Sequence, residues 1–162
     1  MRKLWAPWRT IYIDQPSCKR NECFICLKLK ENNDEKNFIL KRTNYSVALL
    51  NTYPYTSGHI MVAPARHIDS PLLLTREELL DKEELVNMCI EALVRAFKPN
   101  GFNVGVNLGE VAGAGLIGHY HIHIVPRWKG DTNFMPVIGE VKVINQALEE
   151  TYKRLKTIFD TR

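Results

Sequence analysis

Apolar positions along this chain recur with two periods. Residues 38–41 and 45–50 are short β-type runs split by Arg42-Thr43-Asn44, and residues 59–63 form another around Ile60, Met61 and Val62, stopped by Pro64. Residues 51–58 between them are rich in turn formers, and residues 102–108 and 119–125 return to the strand pattern. Helical spacing appears twice. Thr75-Arg76-Glu77-Glu78 reads as a capping box, and Leu79, Val86, Cys89, Ile90, Leu93, Val94 and Phe97 then mark an amphipathic helix. A break is expected near Asp81, and Pro99-Asn100-Gly101 ends the helix. A last helix is expected over residues 141–159, with Ile144, Leu148, Leu155, Ile158 and Phe159 on or near one face. Several strands with two segregated main helices predict an α+β fold on a mainly antiparallel β-sheet.

Composition narrows the class. The 162 residues fit one domain, and 45% hydrophobic with 25% charged residues is ordinary for a globular protein. The net charge of +4 suits a small anionic ligand and is too weak to argue for nucleic acid. No apolar run approaches the ~20 residues that span a bilayer, so no membrane partner is expected. The first residues lack a long apolar stretch, which argues against a secretion signal and for a cytoplasmic location. Residues 1–17 read as an aromatic arm carrying Trp5, Trp8 and Tyr12. The segment from 18 to 35 carries Cys18, Cys23 and Cys26 and then a polar loop.

The chemistry concentrates in one pentapeptide. Of five histidines, three lie in His119-Tyr120-His121-Ile122-His123. On a strand these three point to one face, about 6.5–7 Å apart, with Tyr120, Ile122 and Ile124 pointing to the other. A row of imidazoles serves either of two purposes. It can share one metal ion, as in a three-histidine zinc hydrolase. Alternatively, one histidine is a nucleophile or base that its neighbours orient.

The stretch from Gly109 to Gly118 runs directly into these histidines and contains four glycines. Beside them it reads as a phosphate cradle made of main-chain amides, with the Asn107 amide as a further donor. Cys23-Phe24-Ile25-Cys26 is half of a zinc site, and His59, His67 and one histidine of the pentapeptide are candidates for the other half. Cys18, Cys23 and Cys26 also have a plant-type iron–sulfur spacing, but no fourth cysteine lies nearby.

His119-Tyr120-His121-Ile122-His123-Ile124-Val125 resembles the motif of the histidine-triad nucleotide-binding proteins. Gly58-His59, Pro64 and His67, together with Asn107, Ala112 and Gly113, resemble that family's upstream strand and phosphate loop. The start Leu4-Trp5-Ala6-Pro7-Trp8-Arg9, the stretch from Asn51 to His59, and the run from Gly101 to Gly109 paired with that from Val125 to Phe134 resemble its diadenosine tetraphosphate phosphorylase-like branch. The resemblance implies a nucleotidyl transferase or hydrolase acting on dinucleoside polyphosphates through a nucleotidyl-histidine. A phosphate-independent hydrolase of nucleotide conjugates and a non-catalytic nucleotide-binding protein are the alternatives.

By the same resemblance His121 is the nucleophile and His123 contacts the phosphate or leaving oxygen. Asn51 lies where ribose binds, and Asn107, Gly113 and Gly115 hold phosphates. Zinc would sit on Cys23, Cys26, His67 and His119, and the chain would form a homodimer. One departure stands out: Ala114 and Gly115 occupy the place where many members carry a serine that donates to phosphate.

Overall fold

The computed structural model describes residues 23–113, 118–131 and 146–161. The expected N-terminal arm, Cys18, Gly115 and the 141–145 part of the last helix lie outside the described residues.

Five strands form one antiparallel sheet: β1 (Ile39–Arg42), β2 (Ser46–Leu50), β3 (Ile60–Pro64), β4 (Gly101–Val106) and β5 (Ile122–Arg127). Their order across the sheet is β1-β2-β3-β5-β4, so β3 is central, β5 lies between β3 and β4, and β4 is an edge. Three helices are described: α1 (Phe24–Glu31), α2 (Arg76–Phe97) and α3 (Leu148–Asp160). The α+β architecture expected from periodicity is what the chain adopts.

The sheet has two different faces. On one, Leu40, Ala48, Leu50, Ile60, Val62, Ile122 and Ile124 pack under α2 and α3. Leu85, Leu93 and Leu155 from those helices are fully buried there. On the other face Ile39, Val47, Leu49, Met61 and Ala63 pack under Ile25 of α1. Alternation along β2 and β3 divides the side chains between the two layers, although every residue of both strands is buried.

α2 starts as its sequence demands. Thr75 accepts from the Glu78 amide at 3.3 Å, and Glu78 accepts in return from the Thr75 amide at 2.9 Å. Glu78 also takes two hydrogen bonds from Arg66, each 2.8 Å. These Arg66 bonds, with the Thr75 amide, hold the Glu78 carboxyl down at about 2.

Four expectations need correction. First, α2 runs unbroken through Asp81, whose carboxylate accepts from the Thr43 hydroxyl at 2.6 Å. Second, Leu79 and Val94 are exposed, while Glu78 and Lys82 are buried in the same helix. Third, the cysteine segment contains a helix, α1. Its Ile25 and Leu29, four residues apart, face the sheet, and this short apolar pair was masked by the cysteines around it.

Fourth, the histidine strand begins at Ile122, not at residue 119. β3 and β5 pair Ile60 with Ile124 and Val62 with Ile122, so the next rung would fall opposite Pro64. Proline has no amide hydrogen to donate, and the ladder stops there. The Tyr120 amide turns away and donates to the Ile68 carbonyl at 2.6 Å.

Replacing Thr75 by Ala is expected to cost about 1 kcal/mol of stability by removing the cap, measured by denaturant unfolding. Glu78 has a folded value below its unfolded one, so its contribution is full above the unfolded carboxylate range and is lost as pH falls toward 2. The melting temperatures of the wild type and the Glu78→Gln variant should therefore differ at pH 7 and converge between pH 4 and about 2.

Candidate active site and metal cluster

The end of the ladder at Pro64 positions every histidine that follows. With no strand partner for residues 119–121, their polar groups bond locally. His119 Nε2–H donates to the Pro64 carbonyl at 2.8 Å. A carbonyl can only accept, so the His119 proton lies on Nε2 and its Nδ1 lone pair points elsewhere. His121 Nδ1–H donates to the carbonyl of His119 at 2.8 Å, so the His121 lone pair is on Nε2. Both imidazoles are buried, and burial first of all lowers their pKa, which keeps them neutral.

His123 lies in β5 proper, directly across from Met61 on one side and Gly105 on the other. Its Nδ1 is 3.0 Å from Nε2 of His59. His59 Nδ1 accepts the Tyr55 amide at 3.1 Å, which places the His59 proton on Nε2 and directs it to His123. The proton of a neutral His123 is then on Nε2. The His121 and His123 rings meet edge to face with centroids 4.8 Å apart, and the Tyr55 ring stacks on His59 at 4.8 Å. The site therefore pairs one imidazole offering a lone pair with a neighbour offering an N–H.

His59 is the functional residue that sequence reasoning misplaced. It was a candidate zinc ligand, and it instead backs His123, fully buried at the start of β3. Gly58 sets it there: φ is +81°, and a Cβ would meet Leu93 at 3.0 Å. Asn51 joins the same cluster. Its side-chain oxygen accepts the Tyr53 amide at 2.9 Å and its nitrogen lies 3.4 Å from His59 Nδ1. The signal available in the sequence was strand pairing, since a histidine opening β3 must lie near the strand that pairs with it.

Asn107 follows β4 and its side-chain nitrogen donates to the Gly113 carbonyl at 3.3 Å, bracing the loop that precedes the histidines. Gly113 has φ of +83°, a left-handed conformation that closes the Glu110–Ala112 turn. Gly115 falls outside the described residues.

The second cluster lies on the other side of His119. Cys23 precedes α1 and Cys26 is in its first turn, so one helical turn brings both sulfurs together. The Cys23 sulfur is 3.2 Å and the Cys26 sulfur 3.6 Å from His119 Nδ1, and Cys26 is 3.3 Å from His67 Nδ1. All four ligand atoms lie within 4.8 Å of one another. A tetrahedral zinc with these ligands sets them about 3.5 Å apart, so the donor set and spacing fit zinc. The His119 Nε2–H···Pro64 bond is the outer contact that such a ligand needs. Burial, then the neighbouring Cys23, pushes the Cys26 thiol up to about 11. His121 and His123 do not join this cluster, so the three triad imidazoles do not converge on one ion. Cys89 is buried in the main core, away from the cluster.

This chain matches the HIT domain family model over residues 32–130. The chain belongs to the HIT-domain family. It is 36% identical to a Mycobacterium tuberculosis protein named AP-4-A phosphorylase, over 97% of this chain and 84% of that one. It is 29% identical to the asymmetrical bis(5'-nucleosyl)-tetraphosphatase of Schizosaccharomyces pombe, over 76% of this chain and 64% of that one. The crystal structure of a zinc-bound histidine triad family protein from Mycobacterium smegmatis superposes with a TM-score of 0.69 over 88% of this chain and 96% of that one. At 20% identity that likeness speaks for the HIT fold alone. No described helix is long and apolar enough to cross a membrane.

The cluster geometry predicts one tightly held divalent ion per chain. Cobalt(II) loading should give a thiolate-to-metal charge-transfer band in the near ultraviolet. Cys26→Ser should weaken that band, and His67→Ala, which removes a direct ligand, should lower affinity by more than the roughly 10–100-fold that loss of an outer-shell partner costs.

Proposed function

We propose that this chain is a nucleotidyl transferase that cleaves dinucleoside polyphosphates through a nucleotide held covalently on His121. The observation that carries this reading is the single hydrogen bond from His121 Nδ1 to the His119 carbonyl. It leaves the Nε2 lone pair of a buried, neutral imidazole as the attacking group. Names of relatives add the substrate class: both curated proteins compared above carry names for enzymes of nucleoside polyphosphates.

The chemistry then runs in two displacements. His121 Nε2 attacks the α-phosphorus, a P–N bond forms, and the P–O bond to the rest of the polyphosphate breaks with both electrons going to oxygen. His123 Nε2–H donates to that oxygen, and the His59–Tyr55 chain behind it holds the proton on that nitrogen. Asn107 and main-chain amides of the 109–113 loop, with Gly115, hold phosphate oxygens, and positioned donors offset the charge that builds there. Asn51 contacts the ribose. In the second displacement a nucleophile attacks phosphorus and His121 leaves. Phosphate as that nucleophile turns a dinucleoside tetraphosphate into a nucleoside triphosphate and a nucleoside diphosphate. We favour phosphate over water because the relative matched across 97% of this chain is named a phosphorylase.

Cys23, Cys26, His67 and His119 would hold zinc, whose role there is a structural cross-link between α1 and the segment entering β5. His119, occupied in this way, does not compete with His121. Reduced thiols of this kind suit the cytoplasm. The exposed edge of β4, with Val104 and Val106 open to solvent, is where a second copy would pair to form a homodimer.

His121→Ala should lower turnover of a dinucleoside tetraphosphate by at least about 10³-fold while the melting temperature stays near wild type. Quenching the wild type with substrate and weighing it by mass spectrometry should show one nucleoside monophosphate on His121. Added phosphate should discharge it as a nucleoside diphosphate. Full turnover by the His121→Ala variant would exclude the proposal. Sedimentation equilibrium should give the mass of two chains.

A further inference from the structure

β4 carries a glycine that no contact among the described residues requires. Gly105 sits mid-strand, where glycine is unfavourable because it packs nothing and orders a more flexible chain. Its φ lies outside the left-handed region, so any residue fits the backbone, and no described atom lies within 4 Å of where a Cβ would stand. The position is exposed and pairs directly with His123. Cross-strand partners share a face, so the missing side chain would lie beside the His123 imidazole.

The two neighbours of His123 are thus unlike. Met61 is 4% exposed and closes one side, while on the other side Gly105 is exposed and, among the described residues, leaves the place of a side chain open. Beyond Gly105 on this face stand Asn103, paired with Val125, and then the Gly101–Arg127 pair. Arg127 donates to Asn103 at 2.8 Å and is braced by Asp131. From His123 to Arg127 this strip runs four residues of β5, about 13 Å.

We infer that Gly105 is a specificity-determining residue, and that the open strip from Gly105 to Asn103 takes the leaving half of the substrate: the outer phosphates and second nucleoside of a dinucleoside polyphosphate. The inference rests on the nucleotidyl-transfer reading and deepens it. His123 is the group that contacts the leaving oxygen, so whatever is attached to that oxygen has to pass over the gap at Gly105. A small leaving group needs no such gap.

The test compares two substrates that share one nucleotide and differ in the leaving group. Diadenosine tetraphosphate releases a nucleoside triphosphate, and adenosine 5'-phosphoramidate releases ammonia. In the full-length Gly105→Val variant, the ratio of kcat/KM for the tetraphosphate to kcat/KM for the phosphoramidate should fall about tenfold or more relative to wild type. Gly105→Ala should give a smaller fall in the same direction, and it carries the test if the valine variant does not fold. An unchanged ratio, from no loss or from equal loss on both substrates, would overturn the inference while leaving nucleotidyl transfer standing. Wild-type protein that turns over neither substrate would defeat the catalytic reading instead. Calorimetry with a methylene-bridged diadenosine tetraphosphate then decides the subsite, which falls if the analogue does not bind or if Gly105→Val leaves its Kd unchanged.

Discussion

The arrangement of this site depends on a missing amide hydrogen. β3 and β5 run antiparallel until the rung at Pro64, where no donor is available and pairing ends. That end releases the Pro64 carbonyl, which accepts from His119, and the segment 119–121, whose amide at Tyr120 bonds to Ile68. Were the ladder to continue, His119, His121 and His123 would stand in a uniform row. With the ladder ended, the three acquire different partners: the cysteine pair, a main-chain carbonyl and another histidine.

Different partners make chemically identical side chains behave differently. A main-chain carbonyl accepts and an amide donates, without ambiguity, and each histidine network here ends on one of them. Pro64 and His119 carbonyls therefore set the protons of His119 and His121, and the Tyr55 amide sets those of His59 and His123. Burial keeps His119 and His121 neutral, so each retains one lone pair and one N–H. The direction of each is decided by backbone that is itself held by the sheet, by Gly58 and by the Tyr120–Ile68 bond.

The cysteine cluster and the imidazole cluster meet at one residue. His119 offers Nδ1 to the sulfurs, Nε2–H to Pro64 and its carbonyl to His121. α1 is seated by Ile25 in the smaller core, so the cysteines reach His119 because an apolar side chain two residues after Cys23 and next to Cys26 anchors their helix. The larger core under α2 and α3 lies on the opposite face of the sheet and holds the sheet to those helices.

Periodicity along the chain was sufficient for the existence of five strands, for the capped start of α2 and for the α+β class, because one buried face per element leaves a regular trace, but not for the unbroken course of α2 through Asp81 or the start of β5. The motif of alternating histidines, the two cysteines and His67 were legible as chemistry because those residue types have few other uses in such a pattern. What the one-dimensional pattern could not carry was pairing. It could not show that Pro64 would stand opposite Tyr120 and end the strand, that His59 would back His123 instead of joining the thiols, or that Gly105 would lie beside His123. Each of these is a contact between residues 18 to 64 positions apart in the chain, created only when β3, β4 and β5 come into register. Residue identity determined which reactions the chain is equipped for; strand register decided which imidazole faces which partner, because a hydrogen bond has a direction that only the folded backbone supplies.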